Sequence, residues 1–220
     1  PVPEDLKAGG PYYGELLGVD RAMGALREGL RKRGIADHTL VWFNSDNGPL
    51  RGSTGGLRGK KGSIWEGGVR VTGIVEWPSK IKKPAVSDVP ACVSDIYPTL
   101  VELGQAKVAN QIQPLDGISL VPLLEGKMAE RPSPICFWHS NKNSKDDKNA
   151  GPSALTGNRY KLHKLGAGQY ELYDLTADAA ESKDLASEKP DLVKEMKGQL
   201  DTWQESVQRS LKKEDYSGRK

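Results

Sequence analysis

The sequence has 220 residues, of which 36% are hydrophobic and 28% are charged, a balance typical of a globular protein with a buried core. Its 32 basic residues exceed its 29 acidic residues only slightly, and a net charge of +3 does not favour a nucleic-acid partner. No apolar run approaches the roughly 20 residues that a membrane-spanning helix requires.

The first part of the chain alternates between helical and strand-like patterns. Apolar residues at every third or fourth position predict a helix over residues 12–33. Apolar runs predict strands over Thr39–Phe43 and Val69–Trp77, and a second helix is predicted over residues 92–104. A helix followed directly by an apolar strand that ends in a polar loop favours a parallel α/β sheet.

After about residue 128 the pattern changes to short strands and a closing helix. The polar segment over residues 140–153 predicts a loop. Strands are predicted over residues 134–139, 158–165 and 169–175, and a helix from residue 190 to about residue 212. We therefore predict two domains, with part of an α/β layer over residues 1–127 and a small antiparallel sheet with a closing helix over residues 128–220.

A carboxylate and an amide follow the first predicted strand. Asp46 and Asn47 come directly after Phe43 and Asn44-Ser45 and precede Gly48. Ligands in open α/β sheets bind beyond the carboxyl ends of strands, and adjacent carboxylate and amide oxygens suit Ca²⁺ or Mg²⁺ better than Zn²⁺. The same tripeptide is also an ordinary turn, because both side chains bond readily to nearby backbone. The spacing alone leaves both interpretations open.

Five separated segments occur in an order that resembles a known enzyme family. They are ADHTLVWFNSDNG, GLRGKKGSIWEGGVRVTGIVEWPSKI, VSDIYPTLVELG, PLDGISLVPLL and ELYDLTAD. Together they resemble the type I, formylglycine-dependent sulfatases of the alkaline-phosphatase-like superfamily, from about Tyr12 to the final helix. The resemblance implies an α/β fold, with the C-terminal part of an α/β/α sulfatase domain and a small C-terminal subdomain of antiparallel sheet and helix.

The resemblance assigns roles to three residues. Asp46 and Asn47 match the acid and the amide that bind an active-site Ca²⁺, and Asn47 also reaches towards the sulfate ester. Lys61 matches the lysine that contacts the sulfate and stabilises the departing oxygen, as the chemistry of a developing negative charge requires. Lys60 is expected to be a solvated lysine. The implied activity is sulfuric ester hydrolysis of an aryl or carbohydrate sulfate, with Lys61 as the catalytic residue.

Other residues near these motifs have less specific predicted roles. His139 ends a predicted strand where the C-terminal subdomain of similar enzymes overhangs the substrate, and the resemblance implies substrate binding there. Glu66 and Arg70 are predicted to form a structural ion pair or loop anchor rather than an acid and a base. Trp65 is predicted to lie in the core or in a pocket wall, with stacking on a glycan as the alternative. Trp138 has the same prediction, and His163 is predicted to have a surface or packing role.

The nucleophile of the family is not matched. Sulfatases make formylglycine from the first residue of Cys/Ser-x-Pro-x-Arg, but Cys92 and Cys136 lie in other contexts and are predicted to be buried free thiols. We therefore expect the nucleophile and further Ca²⁺ ligands in a missing N-terminal half. That half would be a partner of this chain. Without it, this chain is expected to be inactive and to bind calcium weakly.

The resemblance also implies a substrate class and a location. The partner molecules would be sulfated small molecules or glycans, and the location periplasmic or extracellular. One alternative is a phospho- or phosphonate-ester hydrolase of the same superfamily, although such enzymes use histidine-rich zinc sites. Another alternative is a non-catalytic module that binds a glycan or a partner.

Overall fold

The computed structural model describes residues 10–109, 111, 113–138, 151–166 and 168–216. Contacts among residues define two compact units. The first unit combines the residues up to Ser45 with Thr72–Ala85, and the second combines Asp46–Val71 with the residues from Val86 onward. The domain boundary near residue 128 stays a prediction. No helix in the described ranges is long and apolar enough to cross a membrane.

The first unit contains one long helix and two short strands. Helix α1 spans Gly10–Lys32, and strands β1 (Val41–Asn44) and β2 (Gly73–Glu76) lie close to their predicted positions. The strands pair antiparallel, so the parallel pairing predicted from the helix–strand order is wrong for this pair. Parallel neighbours need a crossover connection, usually a long helix. Between β1 and β2 the chain forms only the one-turn helix α2 (Glu66–Val69).

The apolar stripe of α1 is half exposed. Leu16, Val19 and Leu26, which share the stripe, are 46%, 44% and 47% exposed. Leu16 and Val19 also line an open groove of about 660 Å³ beside β1 and β2, with Phe43 and Ile74 among its other apolar residues. Contiguous exposed apolar surface of this kind promotes association.

We expect the purified chain to self-associate through this stripe. The double substitution Leu16→Lys, Leu26→Lys should shift it towards the monomer in sedimentation velocity, because it places two charges on the apolar face. Val86 is 97% exposed and lies in a loop, so Val86→Lys is the control and should leave the distribution unchanged. A parent chain that sediments as a monomer at every concentration would contradict this prediction.

The second unit is built on an antiparallel sheet covered by a helix. The sheet order is β3-β4-β5-β6, and helix α5 packs against it. Its strands are β3 (Ile135–Trp138), β4 (Ser153–Thr156), β5 (Tyr160–Gly166) and β6 (Gln169–Asp174), and α5 spans Pro190–Leu211. The buried core between them consists of Leu155, Leu162, Leu172, Met196 and Leu200. The sheet and closing helix predicted for this part of the chain are therefore confirmed.

Strand β4 was not predicted from the sequence. Its four residues are all buried, and its register pairs it with β3 and β5. A four-residue strand that is buried on both faces has no polar and apolar alternation to reveal it. Most of the predicted polar loop, residues 140–150, lies outside the described residues, and its last residue, Ser153, begins β4.

Two further helices of the second unit precede β3, and a buried ion pair anchors the start of the first one. A 3₁₀ turn over Val93–Asp95 leads into α3 (Ile96–Leu103), as predicted, and α4 spans Val121–Leu124. The Arg131 guanidinium donates to both carboxylate oxygens of Asp95, at 2.7 and 2.8 Å. Both side chains are almost completely buried. This pair fixes the segment before β3 against the start of α3.

Candidate functional site

The Asp46–Val71 segment folds back on itself. The Gly48 N–H donates to the Gly68 carbonyl at 2.8 Å, and the Lys61 N–H donates to the Pro49 carbonyl at 3.2 Å. These two bonds place the backbone that follows Asp46 and Asn47 beside the backbone that carries Lys61. The segment therefore places the Lys61 backbone beside Pro49, two residues after Asn47.

Glycine is required where two stretches of the backbone of this segment come into contact. A Cβ atom on Gly48 would collide with the Gly67 carbonyl oxygen, and one on Gly67 would collide with the carbonyl oxygens of Arg58 and Gly59. The Gly67 N–H also donates to the Arg58 carbonyl at 2.7 Å. The glycines thus allow neighbouring stretches of backbone to approach closely, which any larger residue would prevent.

The predicted site residues lie at the surface of the second unit. Asp46, Lys60 and Lys61 are exposed, and Asn47 is half-buried. The Lys60 carbonyl accepts hydrogen bonds from the N–H and the hydroxyl of Ser63, at 3.0 and 2.8 Å, which shapes the turn after Lys61. Because their side chains are exposed, Asp46 and Lys61 are accessible to a ligand. The roles of these residues remain predictions.

Asp46 and Asn47 provide a donor set of the right kind for calcium but an incomplete one. Their oxygens are hard ligands, and Ca²⁺ prefers six to eight of them. In the part of the chain that the structure describes, no group of three or more His, Cys, Asp or Glu side chains is arranged to hold a metal. His139, the predicted substrate contact, lies outside the described residues.

Glu66 anchors the segment from within. Its side chain is buried, and the Lys161 ammonium donates to Oε1 at 2.8 Å. Arg70 is 54% exposed and lies 4.0 Å from Glu66 Oε2. The predicted role of Glu66 as a loop anchor is therefore confirmed, but its principal partner is Lys161 of β5 rather than Arg70.

Trp65 is packed between other side chains. Its ring stacks on His163 with centroids 4.1 Å apart, and the Arg58 guanidinium carbon lies 3.5 Å from the Trp65 ring centroid. Tyr173 contacts Trp65 edge to face at 5.7 Å. The predicted packing role of Trp65 is confirmed, since these contacts engage its ring.

Trp138 lines a separate cavity of about 450 Å³ with Trp203, Asp116 and both cysteines. The Trp203 indole donates to Asp116 at 2.9 Å. Cys92 and Cys136 are free thiols, as predicted, but both are half-buried rather than buried. Burial, helped by the charge of Asp116, raises the pKa of Cys136 to about 12, and burial also raises the pKa of Cys92. Both are therefore protonated at neutral pH and unsuited to nucleophilic attack.

Sequence reasoning missed the buried charged residues beneath the turn between Arg58 and Gly67, which we call the lysine turn. The packing role predicted as one alternative for His163 is confirmed by its stacking on Trp65. Lys161, His163 and Glu181 are fully buried, and the Glu66 N–H donates to Glu181 Oε2 at 2.6 Å. Lys161 and His163 alternate with apolar Leu162 in β5, a pattern that normally indicates a solvated face of a strand. This pattern pointed to the surface, but Glu66 and Trp65 of the Asp46–Val71 segment, together with Glu181, cover that face.

Two family models match the chain. The model described as "Sulfatase" matches residues 8–106, and the model described as "N-sulphoglucosamine sulphohydrolase, C-terminal" matches residues 59–206, well over half of the chain. The chain belongs to the sulfatase family. The α/β fold expected from the resemblance is thereby confirmed, together with the position of the chain in the C-terminal part of that fold.

Individual sulfatases show the same relationship. Arylsulfatase A of Bos taurus is 36% identical over 192 residues, which cover 84% of this chain and 36% of that protein. A sulfatase of Formosa agariphila is 33% identical over 206 residues, covering 84% of this chain and 37% of that protein. The structure of Ps i-CgsB in complex with k-i-k-neocarrahexaose superimposes with a TM-score of 0.75 at 28% identity, over 94% of this chain and 48% of that one. The chain thus spans between about a third and a half of the length of these sulfatases.

Proposed function

We propose that this chain takes part in the hydrolysis of sulfuric esters and that Asp46, Asn47 and Lys61 form its share of the active site. The observation that carries the proposal is the pair of backbone hydrogen bonds, Lys61 to Pro49 and Gly48 to Gly68, that joins the lysine turn to the Asp46-Asn47 segment. Membership of the sulfatase family supports the reaction class, and the substrate would be a sulfated small molecule or glycan.

The proposed chemistry assigns a separate task to each side chain. Lys61 would hold a sulfate oxygen and stabilise the negative charge that develops on the departing oxygen, and Asn47 would donate to the sulfate. The Asp46 carboxylate and the side-chain amide carbonyl of Asn47 would hold Ca²⁺. When bound, the ion would supply further positive charge beside the sulfate. His139 is proposed as a substrate contact from its place in the sequence.

The nucleophile must come from another segment, because the sequence contains no Cys/Ser-x-Pro-x-Arg motif. We call this chain combined with a sulfatase segment that carries the formylglycine the assembled enzyme. The chain alone should not turn over an aryl sulfate, whereas the assembled enzyme should. Turnover of an aryl phosphate instead would favour a phosphoester hydrolase, and no turnover would favour a binding module. The family resemblance also underlies our proposal of a periplasmic or extracellular location.

Substitution of Asp46 tests the proposed metal role. In the assembled enzyme, Asp46→Ala should raise the calcium concentration needed for half-maximal turnover by at least about tenfold, because the site loses a charged oxygen ligand. The measurement is turnover of an aryl sulfate against free Ca²⁺. Asp88→Ala removes another exposed carboxylate of the second unit and should leave the calcium dependence unchanged. An unaltered calcium dependence in Asp46→Ala would remove Asp46 from the metal site.

A further inference from the structure

A buried charge network lies beneath the turn that carries Lys61. The Lys161 ammonium lies 2.8 Å from Glu66 Oε1 and 3.2 Å from Glu181 Oε1, and His163 Nε2 lies 2.6 Å from the same Glu181 oxygen. Lys161, His163 and Glu181 are fully buried and Glu66 is nearly so. Charged groups are buried at such cost only when they are paired and hydrogen-bonded.

This network holds both ends of the lysine turn. The turn is closed by the bond from the Gly67 N–H to the Arg58 carbonyl, and Lys61 lies between these two residues. At one end, Arg58 Nη1 donates to the Glu181 carbonyl at 3.2 Å. At the other end, the Glu66 side chain and its N–H bind Lys161 and Glu181. The base of the turn is therefore fixed to residues far away in the sequence.

Glu181 is held in an unusual conformation to make these contacts. Its φ is +56°, in the left-handed region that residues other than glycine rarely occupy. Its side chain binds the Glu66 N–H through one carboxylate oxygen and His163 and Lys161 through the other. Burial raises the pKa of Glu181, but His163 and Lys161 outweigh that effect and hold it below its ordinary value, so the carboxylate is charged at neutral pH.

We infer that Lys161 and Glu181 are positioning residues for Lys61, acting through Glu66 to hold the Arg58–Gly67 turn in the geometry that presents Lys61 to the sulfate. This inference rests on the proposed function of Lys61. A preorganised cation stabilises a developing charge only when its position is fixed before the reaction, and a displacement of about 1 Å can lower turnover by about a hundredfold.

A double-mutant cycle in the assembled enzyme tests this inference. Lys161→Met should lower kcat for an aryl sulfate by roughly tenfold when Lys61 is present and have little effect in the Lys61→Ala background, because its effect passes through Lys61. Lys164→Met is the matched control, since it makes the same change on the same strand, where Lys164 is partly exposed and bound to Gln204 of α5. The control should leave kcat nearly unchanged.

A second variant separates positioning from folding. Lys161→Met leaves the Glu66 and Glu181 carboxylates without their lysine. Glu66→Gln with Lys161→Met removes both partners of the Lys161–Glu66 ion pair, and Glu181 keeps His163 and the backbone N–H of residue 66 as partners, so this double variant is expected to fold. In this double variant, amide hydrogen exchange of this chain should speed up over residues 60–68 while β5 and β6 stay protected.

The outcomes distinguish the two proposals. If Lys61→Ala leaves turnover intact, both the proposed function and this inference are overturned. If Lys61→Ala lowers turnover but Lys161→Met acts equally in both backgrounds, or no more than Lys164→Met does, the positioning role alone is overturned. Unchanged amide exchange over residues 60–68 in the double variant would also overturn it.

Discussion

Lys61→Ala is expected to lower the turnover of an aryl sulfate by the assembled enzyme about a hundredfold, equivalent to roughly 3 kcal/mol of transition-state stabilisation. The physical reason is that a fixed cation beside the sulfate interacts more strongly with the charged transition state than with the substrate. The Lys61 side chain is exposed, so its removal should cost the fold little stability. The measurement is kcat and KM for the aryl sulfate, with circular dichroism to show that the fold is retained.

Lys60→Ala is the matched control for this loss. Lys60 and Lys61 are adjacent and both exposed, and each substitution removes one positive charge. Lys60→Ala should retain nearly full turnover. If Lys60→Ala were the damaging change and Lys61→Ala the silent one, the alignment of the glycine-lysine turn with the sulfatase motif would be shifted by one residue. If neither substitution mattered, the sulfatase interpretation of this turn would fail.

Arg131→Met is expected to lower the free energy of unfolding by about 3–5 kcal/mol, because it leaves the Asp95 carboxylate buried without its partner. Asp95 is fully buried and also accepts hydrogen bonds from the N–H groups of Cys92 and Ile118, both at 2.8 Å. The measurement is urea unfolding followed by tryptophan fluorescence. Arg159→Met is the control, because Arg159 also binds a carboxylate, that of Asp174, but is 58% exposed. Arg159→Met should lower the free energy of unfolding far less, because solvent screens an exposed ion pair.

The same pair predicts a pH dependence of stability. Burial raises the pKa of Asp95, but the Arg131 guanidinium and the two backbone N–H groups outweigh it and hold the pKa below the ordinary 3.8. A carboxyl group with a depressed pKa stabilises the fold above its unfolded pKa, and that contribution is lost as the pH falls through the folded pKa. Below about pH 4 the parent chain should therefore lose the contribution of Asp95 to its free energy of unfolding. The free energy of unfolding of Arg131→Met should fall less over the same pH interval. Equal losses for the two chains would contradict this account of Asp95.

Local sequence patterns were sufficient to place most helices and strands. The spacing of apolar residues indicated α1, and the short runs near the C-terminus indicated β3, β5 and β6, because such patterns depend on neighbouring residues alone. The order of five separated segments indicated the family, and the glycine-lysine motif in the second of them predicted Lys61. The close contact of Gly48 with Gly67 explains why those glycines occur in the motifs.

Only the tertiary structure decided how β1 and β2 pair, that Ser153–Thr156 is a strand, and which charged residues are buried. Lys161 and Glu66 are 95 positions apart, and nothing in either local sequence indicates that they form an ion pair. A lysine in an alternating strand is ordinarily solvated, so its burial depends on whether another segment covers that face of the sheet. Here the lysine turn covers it, and a contact between segments so distant in the chain exists only once the chain has folded.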